Sequence, residues 1–279
     1  MAHLFQVGAG SGGMPVLDMV GRDPLLTHVT LVEPDVYQAH NVVRHLFPQS
    51  AVGRKKAELA REWLRERRPD LHVDILTCDL LDSAFASRIE AAAAAADIGI
   101  CAADNEHAKY RFDALMRRFG KPWTLGEVLA GGIGGFAHCF VPGGPCYGCV
   151  ASYLQRSVAV EQARPPDYSQ PGGPAPEVTV PASRAAIGVI AGLHAQVTLK
   201  LMAACGIATP QAAPLDFTSL LLTLERVPDI FEEAYRPYRF RVARSAECLI
   251  CRQEASAAPS SAEELDVALD RALARLGHA

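Results

Sequence analysis

The first 120 residues alternate short apolar runs with amphipathic stretches. His3–Val7, Val29–Val32, Val73–Thr77 and Ile98–Ala102 are runs of four or five mostly apolar residues and read as buried strands. Between and after them, Gly13–Val20, Lys55–Arg67, Ser83–Ala95 and Glu106–Phe119 carry helical spacing. Strand and helix in strict alternation predict a mainly parallel α/β sheet with helices on both faces, a Rossmann-like arrangement. Past Pro122 the pattern changes. Trp123–Val128 and Gly134–Val141 read as strands separated by a glycine cluster. Gln155–Pro181, rich in Pro and Gly, predicts a long surface loop. Ala185–Cys205 predicts a long apolar helix, Leu215–Arg226 and Tyr238–Val242 late strands, and Ser261–Leu276 a terminal amphipathic helix.

Composition changes this picture little. The 279 residues are 49% hydrophobic and 21% charged, enough for a sizeable core. A net charge of −4 gives no electrostatic reason to expect nucleic acid or an anionic membrane as partner. No apolar stretch reads as a membrane span, and the N-terminus runs directly into a strand and a glycine loop rather than a signal peptide, so a cytoplasmic protein is expected. Abundant Ala and Arg suggest a bacterial source of high GC content. Eight cysteines in a reducing compartment then point to metal or catalysis wherever they cluster.

Gly8-Ala9-Gly10-Ser11-Gly12-Gly13 sits between the first strand and first helix, in the context where glycines let backbone approach phosphate at a helix N-terminus. Glu33 ends the second strand about twenty residues later, where a ribose acceptor is expected. The loop alone suits NAD as well as ATP. The residues beyond Glu33 favour ATP: Arg44 and Lys56 can neutralise charge developing on a triphosphate, and Asp104, at the end of an apolar strand, can serve Mg²⁺.

Two CxxC pairs, Cys146/Cys149 and Cys248/Cys251, are the usual source of a tetrahedral Zn²⁺ site, structural because four thiolates leave no open position. A redox CxxC is the alternative. Cys78, Cys101, Cys139 and Cys205 read as small buried hydrophobes rather than nucleophiles.

These motifs together resemble the ThiF/MoeB/HesA family, the bacterial relatives of ubiquitin-activating enzymes. Gly8, Gly10 and Gly13 match the family's loop, Glu33 and Asp35 its acidic pair, Asn41 and Arg44 its N-x-x-R, Lys56 its lysine, and Asp104 with Asn105 its aspartate–asparagine pair. The resemblance implies a single adenylation unit over 1–279, with a nucleotide-binding half at 1–122 and a carrier-docking half at 123–279. It implies a crossover loop at about 155–183 and the split zinc knuckle. It also implies Mg·ATP-dependent adenylation of the C-terminal Gly of a small ubiquitin-like or sulfur-carrier β-grasp protein, a homodimer, and a conjugating enzyme or sulfur donor downstream. In that chemistry Arg44, Lys56 and Asp104 are catalytic. The remaining matched residues bind nucleotide.

The sequence departs from the family at four points. The usual Gln after the arginine is His45, and the first acid is Glu rather than Asp. The chain opens on its first strand, with no segment ahead of it to carry the partner-subunit arginine that many relatives use. The predicted crossover loop holds no cysteine, so adenylation without a thioester on that loop is expected. An NAD-dependent oxidoreductase and a catalytically silent, partner-binding relative remain as rival readings.

Overall fold

A computed structural model describes residues 1–154, 182–207 and 212–252. One eight-stranded sheet runs through all of it, in the order β3-β2-β1-β4-β5-β6-β7-β8. The strands are β1 (Ala2–Val7), β2 (Leu26–Val32), β3 (His72–Leu76), β4 (Ile98–Cys101), β5 (Trp123–Val128), β6 (Gly134–Phe140), β7 (Ser219–Thr223) and β8 (Pro237–Phe240). The five strands from β1 to β5 are parallel, and β5 to β8 pair antiparallel. The expected fold class is therefore observed.

Helices α1 (Gly13–Gly21), α2 (Lys56–Arg67) and α6 (Arg184–Ala204) contribute to one apolar layer, and α3 (Ala86–Ala95), α4 (Glu106–Arg118) and α5 (Tyr147–Tyr153) to the other. Strand order reverses between β1 and β4, which opens a crevice at their C-terminal ends where such sheets bind ligands. The glycine loop leaves β1 there, and Asp104 comes just after β4.

Cys146 caps α5, a short helix that the apolar runs did not predict: its sulfur accepts the Cys149 N–H at 3.4 Å. Three expectations need correction. The late strands are shorter or shifted relative to the apolar runs that predicted them. Ser83–Ala95 splits into a 3-10 turn at Ser83–Phe85 and the helix α3, with Asp82 capping the turn. Finally, α6 is long and apolar enough to cross a membrane, contrary to expectation. It packs against α1, β5 and β6 and buries Ile187, Ile190, Val197 and Leu201. The predicted loop at Gln155–Pro181 and terminal helix at Ser261–Leu276 lie outside the described residues.

Candidate nucleotide-binding site and cysteine cluster

The glycines of the loop have different jobs. Gly8 has φ +90°, and a Cβ there would stand 2.6 Å from the Ala102 carbonyl oxygen on the strand end across the crevice. A Cβ on Gly13 would meet the Gly8 carbonyl at 2.5 Å. Gly10 and Gly12, by contrast, have no atom within 4 Å of an added Cβ. The outer glycines let the loop close on itself. The inner ones leave open space at a helix N-terminus, as close approach by phosphate requires.

Three buried side chains brace this loop. Gln6, fully buried in β1, donates its Nε2 hydrogens to the Gly8 and Gly13 carbonyls, both at 2.9 Å. Glu33 Oε2 accepts the Ala9 N–H at 2.6 Å, while Oε1 accepts the Asp35 N–H at 2.9 Å. Burial pushes the Glu33 carboxyl above the usual carboxylate range, against the pull of those two N–H groups and the charge of Lys56. Each oxygen keeps a lone pair after these bonds, so Glu33 can organise the loop and still accept from a ribose hydroxyl.

His45 holds the other side of the same peptide. Its Nε2 lies 2.9 Å from the Ala9 carbonyl oxygen, and its Nδ1 accepts the Leu46 N–H at 3.0 Å. Burial foremost drives its pKa down to about 4, with Lys56 and Arg184 adding to the effect, so the ring is neutral near pH 7. A neutral ring that accepts at Nδ1 must donate from Nε2, which fixes the tautomer. This is bonding that a Gln amide could supply, and it accounts for the tolerance of His at this departure from the family pattern.

The remaining predicted residues divide by task. Lys56, buried at the start of α2, pairs with the exposed Asp35 at 2.7 Å. Asn41 is buried and spends its Oδ1 on the Gln38 N–H at 2.9 Å, holding the 3-10 turn Ala39–Asn41 that leads to Arg44. Arg44 is half-buried, and its guanidinium makes no hydrogen bond or ion pair among the described residues. Asp104 is exposed beyond β4, its carboxylate likewise unengaged among the described residues. One free carboxylate beside a phosphate cradle suits Mg²⁺, which takes few protein ligands and shares the phosphates. Asn105 is exposed too, but its Oδ1 accepts the Ala108 N–H at 2.8 Å and caps α4.

A polar chain beginning at α4 escaped the sequence reading. Lys109 Nζ bridges Glu106 at 2.6 Å and Glu127 on β5 at 2.7 Å. Glu127 also meets His138 Nε2 on β6 at 2.9 Å, and His138 Nδ1 lies 2.8 Å from Ser219 Oγ on β7. Burial opposes the Lys109 charge, but Glu127 and Glu106 outweigh it and hold its pKa above the usual lysine value. Glu106 and Lys109 stand three apart on one helix, a pairing visible in sequence. That Glu127 and His138 join them is set only by the β5–β6 register. Arg184, at the start of α6 and near enough to weigh on His45, is brought there only by the packing of α6 and leaves no local signal in the sequence.

The four predicted zinc ligands do converge. Cys146 Sγ lies 3.7 Å from Cys149 and 3.5 Å from Cys248, Cys149 lies 3.6 Å from Cys251, and all four sulfurs fall within 4.8 Å of one another. Tetrahedral zinc with Zn–S bonds of about 2.3 Å requires sulfur separations of about 3.8 Å, so the cluster fits that ion. Of the other cysteines, Cys78, Cys101 and Cys139 are buried as expected, and burial pushes the Cys101 and Cys139 thiols up to about 12. Cys205 departs from expectation: it is exposed, at the C-terminal cap of α6, with its thiol raised by partial burial.

A parallel α/β sheet with a braced glycine loop at its switch point, extended by antiparallel strands and a four-cysteine cluster, is the ThiF-like fold with a candidate nucleotide site. The chain belongs to the ThiF family, whose model matches residues 2–234. It is 28% identical over 145 residues to the SAMP-activating enzyme E1 of Haloferax volcanii, across 52% of this chain and 51% of that enzyme. Among solved structures, it is similar to E. coli MccB with ATP (TM-score 0.64, 18% identity) and to MccB with AMPCPP and the SeMet form of MccA (TM-score 0.64, 18% identity). In both cases 90% of this chain aligns to 66% of that one. The match thus spans about half the archaeal enzyme and two thirds of MccB, and the MccB likeness is one of fold.

Proposed function

We propose that the protein adenylates a carboxylate at the C-terminus of a small protein or peptide, using ATP. The carboxylate oxygen attacks the α-phosphorus, the bond from α-phosphorus to the bridging oxygen breaks, and pyrophosphate leaves with that electron pair. The observation that carries this reading is the braced loop: open backbone at Gly10 and Gly12, with Lys56 beside Glu33 and an uncommitted Arg44 nearby. A nicotinamide dinucleotide needs the glycines but neither cation.

In this reading Glu33 accepts from ribose, and Arg44 and Lys56 take up charge on the α-phosphate and the departing pyrophosphate. Lys56 exchanges Asp35 for phosphate. Asn41 positions Arg44 through the turn it braces. Asp104 would hold Mg²⁺, which screens phosphate charge when bound. The substrate carboxylate is already ionised at neutral pH, so catalysis lies in positioning and neutralisation, with no protein nucleophile required. A structural zinc at the cysteine cluster, a cytoplasmic location and a homodimer complete the proposal. The favoured substrate is a β-grasp carrier ending in Gly, with sulfur transfer or conjugation downstream. The names of the relatives, an enzyme that activates SAMP and one seen with MccA, support a small polypeptide substrate.

Exchange of labelled pyrophosphate into ATP, measured with and without carrier, tests it. Carrier-dependent exchange that falls about a hundredfold, or roughly 2.7 kcal/mol, in Arg44→Ala is expected. Hydride transfer to NAD, or unchanged biological activity of Arg44→Ala, would replace it with one of the two rival readings.

A further inference from the structure

At the opposite end of the strands from the glycine loop, histidines line up across the sheet. His3, His28 and His72 are register partners on β1, β2 and β3. Partners in a parallel sheet project to the same face, and Asp74, two residues beyond His72, projects with them. His28 Nε2 lies 2.9 Å from Asp74 Oδ2, and His72 Nε2 lies 3.2 Å from Oδ1. One donor atom from each of the three residues falls within a 4.8 Å group. Two imidazoles on neighbouring strands therefore point the same ring nitrogen at one carboxylate.

We propose that His28, His72 and Asp74 bind a borderline divalent transition ion, with Zn²⁺ the best match. Two imidazoles and a carboxylate are ligands that zinc accepts, and bonds of about 2.0–2.1 Å put tetrahedral ligand atoms about 3.3 Å apart. The two contacts that already exist lie close to that spacing. Each contact now needs a proton on Nε2, and a cation would displace both protons while satisfying the same three groups.

The site is partly preorganised. The His3 ring stacks on His28 with centroids 3.8 Å apart and planes 2° from parallel. His3 is itself tethered, with Nε2 2.9 Å from Thr30 Oγ1 and its backbone N–H donating to Asp97 Oδ2 at 2.8 Å. The stack holds the His28 ring at its angle. His72 and Asp74 are 63% and 54% exposed at the side chain, so an ion reaches them without any opening of the fold. His3 and Gly8 are five residue steps apart along the strand, about 16 Å at the usual rise, too far for the ion to touch a nucleotide in the glycine loop. It would instead clamp β3, the outer strand of the sheet, to β2. Its remaining coordination positions are left to water or to a histidine or carboxylate of another molecule.

Calorimetric titration of the full-length protein with Zn²⁺, begun after its cysteine-bound metal has been loaded, tests this without reference to adenylation. The wild type should take up one more equivalent than His72→Asn. Asp74→Asn should bind that equivalent at least tenfold more weakly, and His107→Asn, at an exposed histidine elsewhere, should match the wild type. Zn²⁺ should also raise the melting temperature of the wild type more than that of His72→Asn, a comparison that holds even if the variants start from a different baseline. Equal stoichiometry and equal affinity in the wild type, His72→Asn and Asp74→Asn would overturn the proposal.

Discussion

At the residue scale, a single peptide organises much of the candidate nucleotide site. The Ala9 N–H is taken by Glu33 and its carbonyl by His45, while Gln6 holds both ends of the loop. Glycines with different surroundings should then fail differently. Gly8→Ala forces a Cβ into the Ala102 carbonyl at positive φ, so it should lower stability by about 1–3 kcal/mol, read as a fall in melting temperature. Gly10→Ala meets nothing in the protein, so the melting temperature should hold while KM for ATP rises about tenfold, or 1.4 kcal/mol. Equal melting temperatures for the two variants would contradict this division of labour. His45 adds a pH dependence. An unfolded histidine takes up its proton near pH 6.5, and the folded one only near 4. Between those values the unfolded state binds more protons, so stability falls as pH drops from 6.5 to 4 and is full above 6.5. The contribution is on the order of 2 kcal/mol. His45→Gln should keep the bond to Ala9 and flatten that part of the urea-midpoint profile. An unchanged slope would show that the titration belongs elsewhere, with His194, driven down to about 3, the next candidate.

At the scale of elements, α4 joins the site to the second half of the sheet. Its cap residue sits directly after Asp104, and its first turn supplies Lys109, held by Glu106, to Glu127 and, through it, to His138. Lys109→Met removes the cation from between two carboxylates and should cost about 3 kcal/mol at neutral pH. A double-mutant cycle with Glu127→Gln should recover part of the loss, and strict additivity would argue against the coupling. The same element shows where the sequence was legible. The alternation of runs placed β1 to β5 and their helices to within a few residues, because parallel strands buried on both faces are apolar throughout. Asp104 and Asn105 are legible as a matched pair, yet only the capped helix shows that the Asn105 Oδ1 accepts the Ala108 N–H. β7 is shorter than its apolar run at both ends, because Leu215 and Phe217 precede and Leu224 follows the five residues that pair with β6. Arg44 and Lys56 could be identified from motif spacing. Gln6, Glu127 and His138 could not, since each is a polar residue within a strand whose partner is set by tertiary register.

For the whole molecule, the cysteine cluster decides how the last described segment is held to the middle of the chain. Cys146 and Cys248 are 102 residues apart, as are Cys149 and Cys251. An ion shared by both pairs closes that loop much as a disulfide would, and a crosslink around about 100 residues restricts the unfolded chain by roughly 4–5 kcal/mol. The segment carrying Cys248 and Cys251 has few other anchors. Cys251 is buried against Cys149, and Arg244 donates to the Cys251 carbonyl at 3.0 Å, but Leu249 and Glu247 are exposed. The sheet from β1 to β5, by contrast, has two apolar layers of its own. If the cluster holds zinc as proposed, its loss should release the C-terminal segment before the sheet from β1 to β5 yields. Cys248→Ser should abolish tightly bound zinc, lower the melting temperature, and make the chain near residue 245 sensitive to protease. ATP should still protect the glycine-loop half from hydrogen exchange. A zinc-free variant that melts with the wild type and resists protease there would mean that the four thiols need no metal to stay together. Simultaneous loss of protection at β1 and at the cluster would mean that the closing segment supports the whole sheet rather than its own half.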